Sequence, residues 1–541
     1  MKNMKASDIF VRMLESYGVD RIYGVPGEEN LDFLESMRTS SIELILTRNE
    51  QTAVFMAANH GRFTGHPGVA LATLGPGATN MVTWVAYAQL SGLPLIVITG
   101  QKPIKKSKQG LFQIIDVVGM MRPITKYATT IISGARIPSL IHNAFKIARS
   151  ERPGVVAIEF PEDIASEEVY VEDISAHLEK IRRPVIDEKM LTKLISEITK
   201  AKRPIILIWA WANRKQISKY LTTFIKKYHI PFFTSQMGKW VVDESLPEYL
   251  GTASLTTGDY IHQAIAQSDL IISVGYDPIE KPTTLMGVDG TPSIYINFYE
   301  AHIDDVYMPY LEVIGDIGNI FWRLSEVTFD HTWEFDEIYR IKNTYTHFLV
   351  WHLEEEVKSI STIMWPRQLT YELRKNLERN DILTLDNGLY KVWISRNYPC
   401  YEPNTLILDN ALATMGAGLA SAMSAKLEYP ERNIVCVTGD GGLVMNLGDI
   451  ETAVRLKLDI TLIVLNNGSY GMIEWKQEWG GMQRWGLGFG NPDFVKLAES
   501  FGAYGFRVEK KSDFEAIFQK AIKMKWLKII DLIFDYPKDI K

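Results

Sequence analysis

Cysteine is nearly absent from this chain: its 541 residues include two, Cys400 and Cys436. The second lies in an apolar run that reads as a buried strand, so a disulfide framework is excluded and a reducing compartment is expected. Long hydrophobic runs are missing too. No stretch is long enough to span a bilayer, and Met1 to Tyr17 combine helical periodicity with charges throughout, unlike the apolar core of a signal peptide. The expectation is a cytoplasmic protein with no membrane partner. Positive charge is not in excess either. With a net charge of −7, a pI near 5.9 and dispersed Lys and Arg, no nucleic acid partner is expected. Low-complexity segments and short repeats are also lacking.

What is present is the composition of an ordinary globular protein, 46% apolar and 23% charged. The length calls for about three domains. Short apolar runs at Arg21–Gly24, Glu43–Thr47, Val69–Thr73 and Leu95–Thr99 read as strands, with helices at Gln51–Phe63 and Ala78–Gln89 between them. The same rhythm returns at Ile205–Trp209, Leu270–Ser273 and Ser293–Ile296. It returns again at Ile382–Leu385, Ile434–Thr438, Ile460–Leu465 and Ile529–Ile533. Charged, weakly periodic stretches at Glu167–Pro184 and Asp330–Ser361 read as linkers, the second partly helical. The predicted fold is α/β, with three doubly wound domains and mostly parallel sheets. Domains are expected at 1–170, 191–330 and 361–541, with linkers at 171–190 and 331–360.

The most specific local signal is Gly439-Asp440-Gly441-Gly442, followed by Asn466-Asn467. The first group ends the strand Ile434–Thr438, ahead of a helix expected near Leu447, and the second ends the next strand. Adjacent parallel strands would bring Asp440 and Asn467 to one sheet edge, where ligands of open α/β sheets bind. The Asp440 carboxylate, the Asn467 amide and the Ser469 carbonyl would form a hard oxygen site suited to Mg2+ with phosphate oxygens. Either motif alone is more often an ordinary turn.

Their order and spacing, with strand, helix and strand between, resemble the signature of thiamine diphosphate enzymes. Asn410 to Gly416 is similar to the segment that grips the cofactor's pyrimidine in that family. The resemblance implies that Met415 wedges between the two rings and that the Ala413 carbonyl accepts from the 4′-amino group. Glu50, just after Leu44-Ile45-Leu46-Thr47-Arg48-Asn49, matches the glutamate that bonds N1′ and tunes the cofactor's tautomer, the catalytic role here. Read without the family, it would simply complement a helix dipole. Gly24 to Asn30, with Pro26 and Gly27, and Leu74 to Asn80 both resemble active-site loops flanking that glutamate. Asp386 to Tyr390 resembles a second diphosphate loop, with Gly388, Leu389 and Tyr390 as contacts. Gly439, Asp440, Gly441, Gly442, Asn467, Ser469, Tyr470, Gly471 and Met472 complete the implied cofactor site. The implied domain order is pyrimidine-binding, central, diphosphate-binding.

Within the family the chain is most similar to acetolactate synthases. Phe112-Gln113 through Ile124-Thr125-Lys126 resembles a substrate-entrance region. Gly471 to Gln477 resembles a mobile closing segment, and the implied substrate pocket is Phe112, Gln113, Ile473, Trp475, Lys476 and Gln477. The resemblance implies decarboxylation of pyruvate and condensation with a second 2-oxo acid, giving 2-acetolactate and CO2. It further implies a homodimer or homotetramer in which Glu50 of one chain faces the Asp440 site of another. Several residues depart from the family. Phe112 replaces a frequent histidine, and the histidine pair of pyruvate decarboxylases is absent near Gln113, which favours condensation over aldehyde release. Trp209-Ala210-Trp211 stands where glycines are usual, and Tyr276-Asp277-Pro278 lacks the arginine of flavin-binding members, so FAD is not expected. The alternatives are a decarboxylase or carboligase for another 2-oxo acid, or a non-catalytic regulatory paralogue.

Overall fold

A computed structural model describes residues 2–105, 110–171, 183–213, 215–253, 260–280, 290–303, 307–329, 332–358 and 361–536. Three six-stranded sheets, each parallel throughout and flanked by helices, follow one another along the chain. Their central strands are short runs rich in Ile, Val and Leu, buried along their length. That is the pattern of a parallel sheet covered on both faces.

In the first sheet the spatial order is Glu43–Leu46, Arg21–Gly24, Gly68–Ala72, Leu95–Gln101, Val155–Pro161, Tyr127–Thr130. In the second it is Tyr249–Thr252, Phe232–Thr234, Pro204–Ile208, Leu270–Val274, Ser293–Asn297, Leu311–Ile314. The third runs Leu406–Ile407, Ile382–Leu385, Ile434–Gly439, Ile460–Asn466, Lys528–Ile533, Tyr504–Val508. In the first and third sheets the last two strands exchange places, and in each sheet the chain reverses direction beside the sheet's first strand. The carboxyl ends of the strands there diverge and leave a crevice.

Sequence periodicity misses some edge strands. Tyr127–Thr130 and Tyr504–Val508 are largely half-buried or exposed and have no continuous apolar run. The N-terminal segment is not helical from its start. Lys2–Lys5 forms a strand paired antiparallel with Glu168–Val171, and the helix is Ala6–Ser16. Part of the stretch read as a linker is thus a strand, because a distant partner satisfies its backbone; residues 172–182 lie outside the described residues. The helix expected at Ala78–Gln89 is two, Gly75–Asn80 and Val82–Leu90. Helix Asp336–Lys358 occupies most of the second linker-like stretch.

The first and third domains share a hydrophobic core built around helices Glu50–Thr64 and Ala417–Glu428. Polar contacts fix that interface. Thr52 Oγ1 donates to Asp449 Oδ2 at 2.6 Å, Arg48 N–H to Asp449 Oδ1 at 2.9 Å, and Ser424 Oγ to the Met56 carbonyl at 2.9 Å. Among the described residues no helix is long and apolar enough to cross a membrane.

Candidate active site

A cavity of about 410 Å3 opens at the reversal point of the third sheet, between the loops that leave Ile382–Leu385 and Ile434–Gly439. One wall is Gly388, Leu389 and Tyr390, and the facing wall is Gly439, Asp440, Gly441 and Gly442. Ala413 and Met415 enter from the segment before helix Ala417–Glu428. Asn467, Ser469, Tyr470, Gly471, Met472 and Ile473 close the far side. Pairing of Gly439 with Leu465 places the two strand ends at one edge, which brings Asp440 and Asn467 together. Ala413 adopts a left-handed backbone (φ 54°), a strained conformation for a residue with a Cβ that fixes the direction of its carbonyl.

The site suits a diphosphate. Helices Leu389–Asn397 and Gly471–Trp479 both begin at its wall. First-turn N–H groups have no partner inside their own helix and favour an anion. Two backbone donors are held by hydroxyls: Gly439 N–H donates to Tyr390 Oη at 2.9 Å, and Tyr390 N–H to Tyr536 Oη at 3.2 Å. A Cβ on Gly388 would fall 2.4 Å from the Tyr390 ring, and one on Gly471 would fall 2.7 Å from the Tyr536 ring. Only bare backbone lets these rings and loops meet.

Asp440 is 2% exposed and tightly oriented. Its Oδ2 accepts from Asn467 N–H (3.0 Å), Gly468 N–H (2.7 Å) and Asn491 Nδ2 (2.8 Å), while Oδ1 accepts only from Gly441 N–H (2.8 Å). Oδ1 therefore keeps lone-pair capacity for a cation. Among the described residues no three His, Cys, Asp or Glu side chains gather around a metal position. A divalent ion at Asp440 would need amide, backbone and ligand oxygens, the donor set that hard cations accept. Helical structure begins near Leu447 as expected, as the 3-10 turn Leu447–Asp449 and the helix Ile450–Arg455, but a separate short helix, Asp440–Met445, precedes it. The paired glycines read as a turn because of their poor helix propensity. Packing overrides that preference: a Cβ on Gly442 would lie 2.7 Å from Asp386 Oδ2.

Glu50 stands at the reversal point of the first sheet. It opens helix Glu50–Thr64, capped by Asn49, whose side chain accepts from Gln51 N–H. Glu50 is 9% exposed, and its Oε2 accepts from Asn80 Nδ2 at 3.0 Å. Gly27 packs on Thr73, where a Cβ would come within 2.3 Å, so the loop carrying Pro26 and the loop leading to Asn80 touch. Glu50, Pro26, Gly27 and Asn80 do not line the Asp440 cavity of their own chain.

The outer substrate-pocket residues are also not gathered at that cavity. Phe112 is 73% exposed beside Gln113, whose backbone is left-handed (φ 59°). Trp475 stacks on Trp479, and Lys476 lies over both rings at 4.7 and 4.8 Å. Gln477 exchanges hydrogen bonds with the Trp485 backbone. Five cavity residues were not among the site residues read from the sequence: Asn387, Lys391, Met445, Leu465 and Tyr536. Asn387 and Lys391 adjoin a recognisable loop, whereas Tyr536 follows the last strand with no local signal.

The reversal point of the middle sheet carries aromatic rings, beside a cavity of about 730 Å3 lined in part by Ala210, Trp211, Asn213 and Met237. Trp209 Nε1 donates to Ser273 Oγ at 2.9 Å and its ring meets Tyr276 edge-on at 4.8 Å. Trp211 lies against Gly92, where a Cβ would fall 1.8 Å from the indole, and under Arg152 at 5.0 Å. Arg152 in turn pairs with Asp277 at 2.9 Å. Behind these rings, burial pushes the Glu280 carboxyl up to about 8, although Ser235 and the Met237 and Ala210 N–H groups bond it. The native state then holds a proton that the unfolded chain releases near the ordinary carboxylate range. Stability from this group is full below about pH 4.5 and is lost as pH rises toward 8. Glu280→Gln should therefore flatten the fall in melting temperature between pH 5 and about 8, measured by scanning fluorimetry; an unchanged slope would refute it.

Three family models match in order: the thiamine pyrophosphate enzyme N-terminal TPP binding domain over residues 4–120, the central domain over 191–324 and the C-terminal TPP binding domain over 386–532. The acetolactate synthase of Bacillus subtilis is 31% identical, across 99% of this chain and 94% of that protein. A probable acetolactate synthase large subunit of Methanococcus aeolicus is 29% identical across 98% and 92%. The catabolic acetolactate synthase of Raoultella terrigena is 28% identical across 98% and 95%.

Proposed function

Because the chain belongs to the thiamine pyrophosphate enzyme family, as a relative of the acetolactate synthases, we propose that it decarboxylates pyruvate and joins the remaining two-carbon unit to a second 2-oxo acid, giving 2-acetolactate. The observation that carries this reading is the cavity at the third reversal point, where Asp440, the glycine-rich walls and Met415 converge. Thiamine diphosphate, when bound, supplies the electron sink that decarboxylation of a 2-oxo acid needs.

The chain's own residues do the rest. Asp440 and Asn467, with the Ser469 carbonyl, would hold Mg2+ on the diphosphate. The helix starts at Leu389 and Gly471 would bind its oxygens. Met415 would set the angle between the rings, and the Ala413 carbonyl would accept from the pyrimidine amino group. Glu50 would hold a proton at the pyrimidine N1′. That Glu50 does not line the cavity of its own chain supports a working site built between two chains, each supplying one half. In that assembly Phe112 and Gln113 would face Ile473, Trp475, Lys476 and Gln477 across the acceptor pocket. Trp209 and Trp211, which stand where glycines are usual, support a reaction without FAD.

The test is incubation with pyruvate, Mg2+ and thiamine diphosphate, without FAD, followed by acid treatment and a colour assay for acetoin. Signal that requires both additions is expected. Aldehyde in place of acetoin, or one equivalent of flavin in the purified protein, would overturn the corresponding part of the reading. Chelation should also release the cofactor and lower the melting temperature. A ligand held at 100 times its Kd contributes about 2.7 kcal/mol, so a chelator without effect would remove the metal from Asp440.

A further inference from the structure

The loops facing the two ends of the cavity come from separate stretches of the third domain. Asp386–Tyr390 carries the diphosphate-facing wall, and Asp409–Met415 carries Ala413 and Met415. A buried amine joins them. Lys391 Nζ donates to Asn387 Oδ1 at 2.6 Å, to the Asp409 carbonyl at 2.7 Å and to Asn410 Oδ1 at 3.3 Å. From the same loop, Asn387 Nδ2 donates to the Thr414 carbonyl at 2.6 Å, between Ala413 and Met415. The Asp409 carboxylate closes its own loop by accepting from the N–H groups of Ala411, Leu412 and Thr414.

Lys391 is 5% exposed, and its three contacts match the three donors of an ammonium. Burial pulls the amine down to about 8, opposed by Asp409 and Asp386 nearby. Burying such a group is costly unless its donors are satisfied, so this arrangement holds only while both loops stay in place. With every donor engaged, the ammonium has none left to offer the diphosphate.

We propose that Lys391 is a positioning residue whose side chain fastens the diphosphate-facing loop to the pyrimidine-facing loop, so that the two ends of the cofactor are gripped as one unit. The proposal rests on thiamine diphosphate being the ligand of this cavity. It concerns how binding at one end strengthens binding at the other, and Lys391 touches no reacting atom.

The experiment is calorimetric titration of the full-length protein and of Lys391→Met with two ligands in Mg2+, thiamine diphosphate and inorganic diphosphate. The inorganic ion needs only one loop, whereas the cofactor needs both in register. Lys391→Met should weaken thiamine diphosphate about tenfold or more, as loss of hydrogen bonds to a charged group does. Inorganic diphosphate should stay within about twofold of its unmodified affinity. Equal loss for both ligands would make the lysine a diphosphate contact or a general support, and no loss for either would leave it without a role; each overturns the proposal. If thermal unfolding shows Lys391→Met misfolded, Asn410→Ala removes one contact of the same amine and should give the same selectivity, at about threefold. Absence of selectivity there also overturns it. Unmodified protein that binds inorganic diphosphate but not thiamine diphosphate would refute the functional reading itself.

Discussion

Glu50→Gln should lower turnover about 10²- to 10⁴-fold, the usual contribution of a positioned acid–base group, while leaving the affinity for thiamine diphosphate nearly unchanged. The carboxylate is buried at a helix start, and Asn80 bonds one of its oxygens at 3.0 Å. A Cβ on Gly77 would approach Oε1 to 3.3 Å, so that oxygen is closely bounded as well. Glutamine keeps the size of the side chain and can still present a carbonyl to Asn80. It cannot take up and return a proton at the pyrimidine nitrogen. Were Glu50 only a complement to the helix dipole, the change would cost about 0.3–1 kcal/mol of stability and spare turnover. Steady-state kinetics with a separate cofactor titration distinguishes the two. A variant with normal kcat would end the catalytic assignment.

Glu244→Ala should destabilise the protein by about 3–5 kcal/mol, the range for stripping one partner from a buried ion pair. Lys239 and Glu244 are both fully buried and 2.8 Å apart. Lys239 also donates to Thr252 Oγ1 at 2.9 Å. Glu244 binds the third domain twice at Cys400: its carboxylate accepts the Cys400 N–H at 2.8 Å, and its own N–H donates to the Cys400 carbonyl at 3.0 Å. Alanine would strand an ammonium and a backbone donor where two domains meet. A protein of three domains need not unfold in one step, so the readout is the lowest transition in a calorimetric scan. Replacing both partners by apolar residues, Lys239→Met with Glu244→Leu, should recover much of the loss. A single variant within about 1 kcal/mol of the parent would show that water enters this joint.

Much of the site could be read directly because its parts lie at ends of consecutive strands. Asp440 and Asn467 follow two neighbouring parallel strands, so chain order alone places them at one edge. Gly388, Leu389 and Tyr390 follow the strand on the other side of the reversal point. Glu50 could be read for the same reason, as the first helical residue after a strand. The helix start at Asp440 could not, because glycine propensity points to a turn and only the packing of Gly442 on Asp386 decides otherwise.

By itself the sequence determined three parallel α/β units, their central strands, the strand-end loops that carry Glu50, Asp440 and Asn467, and the family. Apolar periodicity and loop chemistry are local properties, written within a few residues of one another. Tertiary structure alone decided which strands edge each sheet, that Trp209 meets Tyr276 and Trp211 packs on Gly92 at the middle reversal point, that Lys391 and Asn387 tie two loops lining the cavity, and that Tyr536 reaches it. Each of those outcomes depends on side chains meeting across long sequence separations, where periodicity carries no signal and packing selects the partner.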